Sequence, residues 1–574
     1  MFCRAKTLKG YSLQNTDRET IGKVKEFYFD DRHWTIRYLV ADTGNWLTGR
    51  QVLISPYARV AVNPDHQNIV TDLTKKQIES SPSLNSDNLH GSLPAAGERG
   101  ISRRRYSVHS DRRPMSVWAK GVFHALPALR WLLAAVALTC VQTDCFALPS
   151  FARQLNMQCI ACHTEFPVLN AFGRQFKLSG YTMSTDQTNL PPLAVMLMPS
   201  FTHTQAGQDG GAAPGFRNNN NFALTQASIF YAGRLFGPYA SKLFGADTAS
   251  VLNKIGIFSQ TTYDGVAKTW AWDNTELRYA DVGTIAGHGA TYGFYLNNNP
   301  TLQDPWNSIP AWTFPFSGSG LAPGPAAATL IEGSLAQQVG GFGAYTMLAN
   351  SLYLDLGAYH TLGAHLQKSL GVDPAGETQI PGLAPYWRVA FEHPAGPGLW
   401  EIGTFGLAAA TYPGRDASAG KDRIVDFGLD SEYQVSIKRH DMTALLSYVY
   451  EDRTWNASQV LGDTANASGN LRTFKATIGD LYDKTYGLNV QYFAIMGNSD
   501  PLLYPNNSTG SPNSDGFVIQ ANYLPFNKGN GPSFWPRSSI KLSLQYVIYN
   551  QFDGSTGRAA EDKNTLYLQA WIVF

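Results

Sequence analysis

"TLYLQAWIVF", residues 565–574, decides the fold of most of this chain. Leu566, Leu568, Ala570, Ile572 and Phe574 alternate with Thr565, Tyr567, Gln569, Trp571 and Val573. Successive side chains of a strand point to opposite faces, so one face here is continuously apolar. The same alternation recurs upstream in "FALTQASIFYAGRLF", "TWAWDNTELRYAD", "SLYLDLGAYHTLG", "WEIGTFGLAAATY", "TALLSYVYEDRTW", "TYGLNVQYFAIMG" and "SIKLSLQYVIYNQF". From residue 193 onward about 16 such segments follow one another, roughly 23 residues per strand and connection, separated by Gly, Pro, Asn and Asp. The whole chain is 44% hydrophobic but only 16% charged, with a mean hydropathy of −0.21. That balance suits half-buried strands better than a bundle of apolar helices.

Three features separate a membrane barrel from a soluble sandwich or propeller. Gly and Ala collect on one face of the alternation, as strands tilted around a wide lumen require. Aromatic residues gather near segment ends (Trp270, Trp272, Trp400, Trp455, Tyr448, Tyr450), in the manner of interfacial girdles. The last residue is Phe574, and the final strand resembles the recognition strand of bacterial outer-membrane barrels. No self-repeat suggests propeller blades. The expected fold class is therefore mainly β, with residues 193–574 forming an outer-membrane porin-like barrel. The long insertions 303–328 and 456–470 suit extracellular or lumen-folded loops.

The amino-terminal part is different in character. Residues 1–130 carry 20 Lys/Arg against 12 Asp/Glu, a net +8, whereas the remainder has a net −7. Within residues 1–80, I-G-K-V, F-D-D, R-Y-L-V-A-D-T-G-N-W-L and R-Q-V-L-I-S-P follow in order, and this stretch resembles a PRC-barrel domain. The resemblance implies a small six-stranded barrel and supplies no catalytic residue. "DLTKKQIESSP" reads as a short helix stopped by Pro82. Residues 81–114 form a basic linker rich in Ser, Asn, Gly and Arg. Residues 115–147 read as a signal peptide: Lys120 and Arg130, then an apolar run from Trp131 to Val141, then small residues before Leu148. That run is about half of the ~20 residues a membrane helix needs. A secretory signal inside a chain implies that the exported protein starts at Met115 or that two reading frames have been joined.

Cleavage after Ala147 would put "QCIACHTEF", residues 158–166, close to a new amino terminus. Cys159, Cys162 and His163 spell C-x-x-C-H. In that pattern two thiols form thioethers with the haem vinyl groups and the adjacent imidazole ligates the iron. A redox dithiol would want a βαβ context, and structural zinc would want two further nearby ligands. The flanks F-A-R-Q, C-I-A-C-H-T and F-P-x-L-N-A-F-G-R-Q-F-K-L resemble the haem segment of fused outer-membrane cytochrome–porins of the iron-oxidiser type.

The resemblance assigns residues 148–192 to a monohaem cytochrome c segment with one covalent haem c. It implies electron transfer from an extracellular donor, Fe(II) in the best-known members, to periplasmic carriers. His163 is then the axial ligand, and Met183, Met157, Met196, Met198 and His203 are distal candidates. Arg174 and Lys177 are candidate propionate partners; Phe172, Phe166, Phe176 and Tyr181 would shield the porphyrin. About 45 residues are too few to enclose a haem alone, so a barrel lumen or mouth would supply the enclosure. No triad, phosphate loop or carboxylate pair stands out, and no nucleic-acid partner is expected for the exported part. The competing readings are a passive porin with a plugging or vestigial haem segment, and a misjoined gene whose PRC-like part is a cytoplasmic adaptor.

Overall fold

The computed structural model describes residues 9–71 and 149–574, except 16–18, 30–35, 44–50, 55–59, 64–66, 186–189, 310–313, 375–377, 506 and 529–537. The expected helix after residue 71, the linker 81–114 and the signal peptide 115–147 lie outside the described residues. The chain divides into two compact units, Met1–Trp131 and Leu132–Phe574.

The first unit is a six-stranded sheet of β1 (Ser12–Gln14), β2 (Thr20–Phe29), β3 (Ile36–Asp42), β4 (Gln51–Ile54), β5 (Val60–Asn63) and β6 (Asn68–Thr71). The spatial order is β4-β3-β2-β1-β6-β5, with β1 and β6 parallel and the other pairs antiparallel. Leu13, Ile21, Val24, Leu39, Val52, Ile54 and Ile69 form its core.

The second unit is a closed antiparallel barrel. Its strands run β7 (Leu193–Thr204), β8 (Asn221–Arg234), β9 (Ile255–Asp264), β10 (Thr269–Ile285), β11 (His288–Asn297) and β12 (Val339–Leu348). They continue with β13 (Leu352–Thr361), β14 (Ala384–Ala395), β15 (Gly398–Thr411), β16 (Asp422–Ile437) and β17 (His440–Thr454). The circuit ends with β18 (Ser468–Tyr482), β19 (Tyr486–Gly497), β20 (Ser514–Tyr523), β21 (Ser539–Phe552), the two-residue β22 (Ser555–Thr556) and β23 (Thr565–Val573). Setting aside the β22 stub, 16 strands close the circuit. The closing seam pairs β23 with β7, from Thr565 opposite Thr204 to Val573 opposite Met196. Beyond it, Phe574 N–H donates to Val195 O (3.0 Å) and Val195 N–H donates to Phe574 O (2.8 Å).

The alternation predicted for the last strand holds: Tyr567 and Gln569 are buried inward, while Leu566 and Leu568 face out. Around the wall the outward residues are large and apolar, including Leu356 (69% exposed), Ile478 (64%) and Phe222 (63%). A soluble monomer does not carry so wide an apolar belt, and only a closed barrel satisfies every strand's backbone groups in lipid. The barrel is therefore of the outer-membrane, porin-like kind. Trp270 and Trp400 are exposed on this surface, but Trp455 is buried in an interior cluster and belongs to no girdle. Interior glycines make room for aromatic rings: a Cβ on Gly428 would lie 2.1 Å from the Phe405 ring, and one on Gly343 2.2 Å from Tyr295 Oη.

The two ends differ. At one end turns 286–287, 349–351, 396–397, 438–439 and 483–485 are short and only 235–254 and 524–538 are long, whereas at the other end 298–338, 362–383 and 498–513 are long and 265–268 is short. Short turns mark the periplasmic end of such barrels. The 298–338 connection folds into the lumen. Pro315 O accepts from Gln520 Nε2 (3.0 Å) and Lys541 Nζ (2.9 Å), Ser317 Oγ donates to Gln569 (2.6 Å), and Ile331 N–H donates to Asp426 (2.8 Å). The described residues of the insertion 303–328 are thus lumen-folded.

Candidate functional site

Residues 149–185 enter the lumen from the short-turn end. They form helix α1 (Pro149–Leu155), a 3-10 turn at Cys159–Ala161 and helix α2 (Ala171–Leu178). Helix α2 starts where Asn170 caps it, accepting Gly173 N–H at 3.0 Å. Its buried side presents Gly173, Arg174, Phe176, Lys177 and Leu178.

The wall grips this segment at many points. Arg174 pairs with Glu392 (3.0 Å) and Glu432 (3.2 Å) and donates to Gln434 (2.9 Å). Lys177 Nζ donates to Asp304 O (2.6 Å) and Asn307 (2.8 Å) on the inserted loop. Arg278 donates to Lys177 O (2.8 Å), Tyr345 to Leu178 O (2.5 Å), and Tyr181 to Glu276 (3.0 Å). Glu165 accepts from Asn489 (3.0 Å) and Asn522 (2.5 Å). Burial raises the Glu165 carboxyl, against the lowering effect of Lys541. Arg174 and Lys177, the candidate propionate partners, both meet the lumen's own carboxylates, amides and carbonyls and so anchor the segment.

The C-x-x-C-H residues lie side by side. Cys159 and Cys162 are both buried, and burial pushes the Cys162 thiol up to about 12. His163 Nδ1 lies 3.0 Å from Pro167 O. That bond makes Nδ1 the protonated nitrogen and leaves the lone pair on Nε2. Burial pushes the imidazole down to about 4, so it is neutral at pH 7, the form in which histidine ligates metals. Among the described residues no cluster of three His, Cys, Asp or Glu side chains is placed to hold a metal ion by itself. The donor set therefore fits covalent haem: two thiols at C-x-x-C spacing and a neutral imidazole whose second nitrogen is already fixed. Helix α2 packs so closely on this turn that a Cβ on Gly173 would sit 2.1 Å from Cys162 O.

Cys162 shares an apolar cluster with Phe166, Phe176, Tyr181, Met196 and Met198, and Met157, Met183 and Phe172 pack against it. Ala194, Leu481, Leu524 and Val573, which also belong to that cluster, place it at the short-turn end. Phe166 stands edge-on to His163 (5.4 Å) and to Trp571 (5.3 Å). Four methionines are thus brought to the site. His203 is not: on β7 it alternates with the inward Met196 and Met198, and its Nδ1 pairs with exposed Asn220 at 2.8 Å. Sequence reasoning missed Asn170, Glu165 and Pro167, although an Asn directly before a helical run is a readable cap.

Fold and site together define a porin-type membrane barrel whose lumen holds its own amino-terminal C-x-x-C-H segment. Residues 2–78 match the PRC-barrel domain. No curated protein matches the chain. Among solved structures it is similar to the anion-selective porin from Comamonas acidovorans, at 11% identity and TM-score 0.38 over 66% of this chain and 98% of that one. It is also similar to the outer membrane channel DcaP of Acinetobacter baumannii, at 12% identity and TM-score 0.37 over 67% and 96%. A loop-deletion mutant of OmpT from Vibrio cholerae gives 10% identity and TM-score 0.37 over 67% and 98%. The barrel assignment rests on the closed strand circuit and its apolar exterior.

Proposed function

We propose that this chain is an outer-membrane monohaem cytochrome of the cytochrome–porin type, in which Cys159 and Cys162 hold one haem c and His163 ligates its iron. The observation that carries the reading is the His163 Nδ1 contact to Pro167 O, at 3.0 Å, beside two buried cysteines at C-x-x-C spacing. A haem bound there supplies one-electron redox chemistry. Cys159 and Cys162 would tether it, His163 would hold it through Nε2, and Phe166 and Phe176 help exclude water from Cys162. Of the methionines at the site, Met183 and Met157 are the candidate distal ligands. The position at the short-turn end favours direct exchange with periplasmic carriers, and an extracellular donor such as Fe(II) reaches the site by way of the lumen. In this reading residues 1–80 are a PRC-type module, 81–114 a linker, 115–147 a signal peptide and 148–192 the cytochrome segment.

The porin-type barrel also supports a channel role, with residues 149–185 as a plug. That second reading is favoured by the wall contacts of Arg174 and Lys177, which need no haem. Haem staining of denatured membrane protein separates the two, because only a covalent haem survives. An optical redox titration then tests the donor: reduction of the haem by Fe(II) is expected, and failure at every pH removes the iron-oxidising role.

A further inference from the structure

We propose that Asn170 is the positioning residue that shapes the C-x-x-C-H loop for covalent haem attachment, acting through the carbonyl groups of residues 160–162. The proposal rests on the haem reading above and deepens it. Asn170 follows His163 by seven residues, yet one residue holds the whole preceding turn. Its backbone N–H donates to Cys162 O at 2.9 Å. Its side-chain Nδ2 donates to Ala161 O at 3.1 Å and, more weakly, to Ile160 O at 3.4 Å. Its Oδ1 accepts Gly173 N–H at 3.0 Å, which starts helix α2. An amide side chain offers two donor hydrogens and one acceptor oxygen, and here every one is used.

Pinning three successive carbonyls fixes the peptide planes between the two thiols and just ahead of the imidazole. The relative placement of the three attachment atoms is then set by the chain's own hydrogen bonds, as a rigid, three-point ligand requires. Gly173 completes the arrangement, because only a residue without a Cβ lets α2 approach Cys162 O so closely. Each thioether forms when a cysteine S–H adds across a vinyl C=C. Sulfur bonds one vinyl carbon, the thiol hydrogen ends on the other, and no net oxidation occurs. Both additions need their thiols presented at a fixed separation, which the clamp provides.

Asn170 has two separable roles, and one substitution divides them. Asn170→Asp keeps the acceptor that caps α2 but loses both side-chain donors to the loop. The experiment compares wild type, N170D and N170A as full-length membrane protein. It measures covalent haem per chain, the haem optical spectrum and midpoint potential, and amide exchange of residues 160–163. Heat-modifiable gel migration reports barrel closure. The expected result is a closed N170D barrel with haem content reduced at least about twofold, a shifted potential, and loop exchange about tenfold faster through loss of these bonds. N170A falls at least as far. N170D matching haem-loaded wild type in content, potential and exchange overturns the clamp alone. Wild type without covalent haem overturns the functional reading and the proposal together.

Discussion

Replacing Arg174 by alanine asks what holds residues 149–185 in the lumen. The guanidinium is 3% exposed, lies 3.0 Å from Glu392 and 3.2 Å from Glu432, and donates also to Gln434 and Leu169 O. Its removal leaves Glu432, itself 3% exposed, without its cation. Breaking a buried pair from one side costs about 3–5 kcal/mol. At about 1.4 kcal/mol per decade, undocking of the segment becomes easier by roughly a hundredfold to a few thousandfold. The cost falls on docking, because the strand ladder of β16 with β15 and β17 uses backbone groups that the substitution leaves alone. Single-channel conductance in planar bilayers and protease cleavage within 149–192 report undocking directly. R174A should open more often and be cut faster, and R174K should fall between, since an ammonium lacks the guanidinium fork. Adding E432Q to R174A should recover part of the loss by removing the orphaned charge. Wild-type conductance and cleavage in R174A would refute the anchoring argument.

Other outcomes follow from the same geometry. Leu356, 69% exposed in the middle of β13, should cost about 2–4 kcal/mol when changed to Arg if it faces lipid and almost nothing if it faces water, as denaturant unfolding in bilayers reads. Burial pushes Lys177 down to about 7 from 10.5, against the raising effects of Glu276 and Asp304. Between those values the unfolded chain binds more protons, so docking should strengthen as pH rises from 7 to 10.5, and protease resistance should lose that slope in K177M. Gly173→Ala should displace the attachment turn while leaving barrel closure intact, visible as haem loss without altered gel migration. Amino-terminal sequencing of the membrane-fraction protein should begin near Leu148; a chain that still carries residue 1 would overturn the signal-peptide assignment.

The fold was legible where periodicity and chemistry agree. Leu566, Leu568 and Tyr567 fall on the expected faces because a barrel wall divides lipid from lumen residue by residue, which is the signal period-2 alternation carries. Trp455 misled because its position near a segment end says nothing of the inserted loop that buries it. At the site, Cys159, Cys162 and His163 were readable as a motif because their spacing is local. Arg174 was readable as a candidate partner for an anion but not as a partner of Glu392 and Glu432, more than 200 residues away. Such pairings depend on register around the barrel, which no local pattern encodes. His203 illustrates the converse: the alternation of β7 already put it on the face opposite Met198.

The central claim is that Cys159 and Cys162 carry one haem. Mass spectrometry of the proteolytic peptide spanning residues 154–174, taken from membrane protein after denaturation and thiol alkylation, tests it most directly. The account predicts a peptide heavier by one haem, with neither cysteine alkylated. A peptide with both cysteines alkylated, or joined to each other, would contradict it.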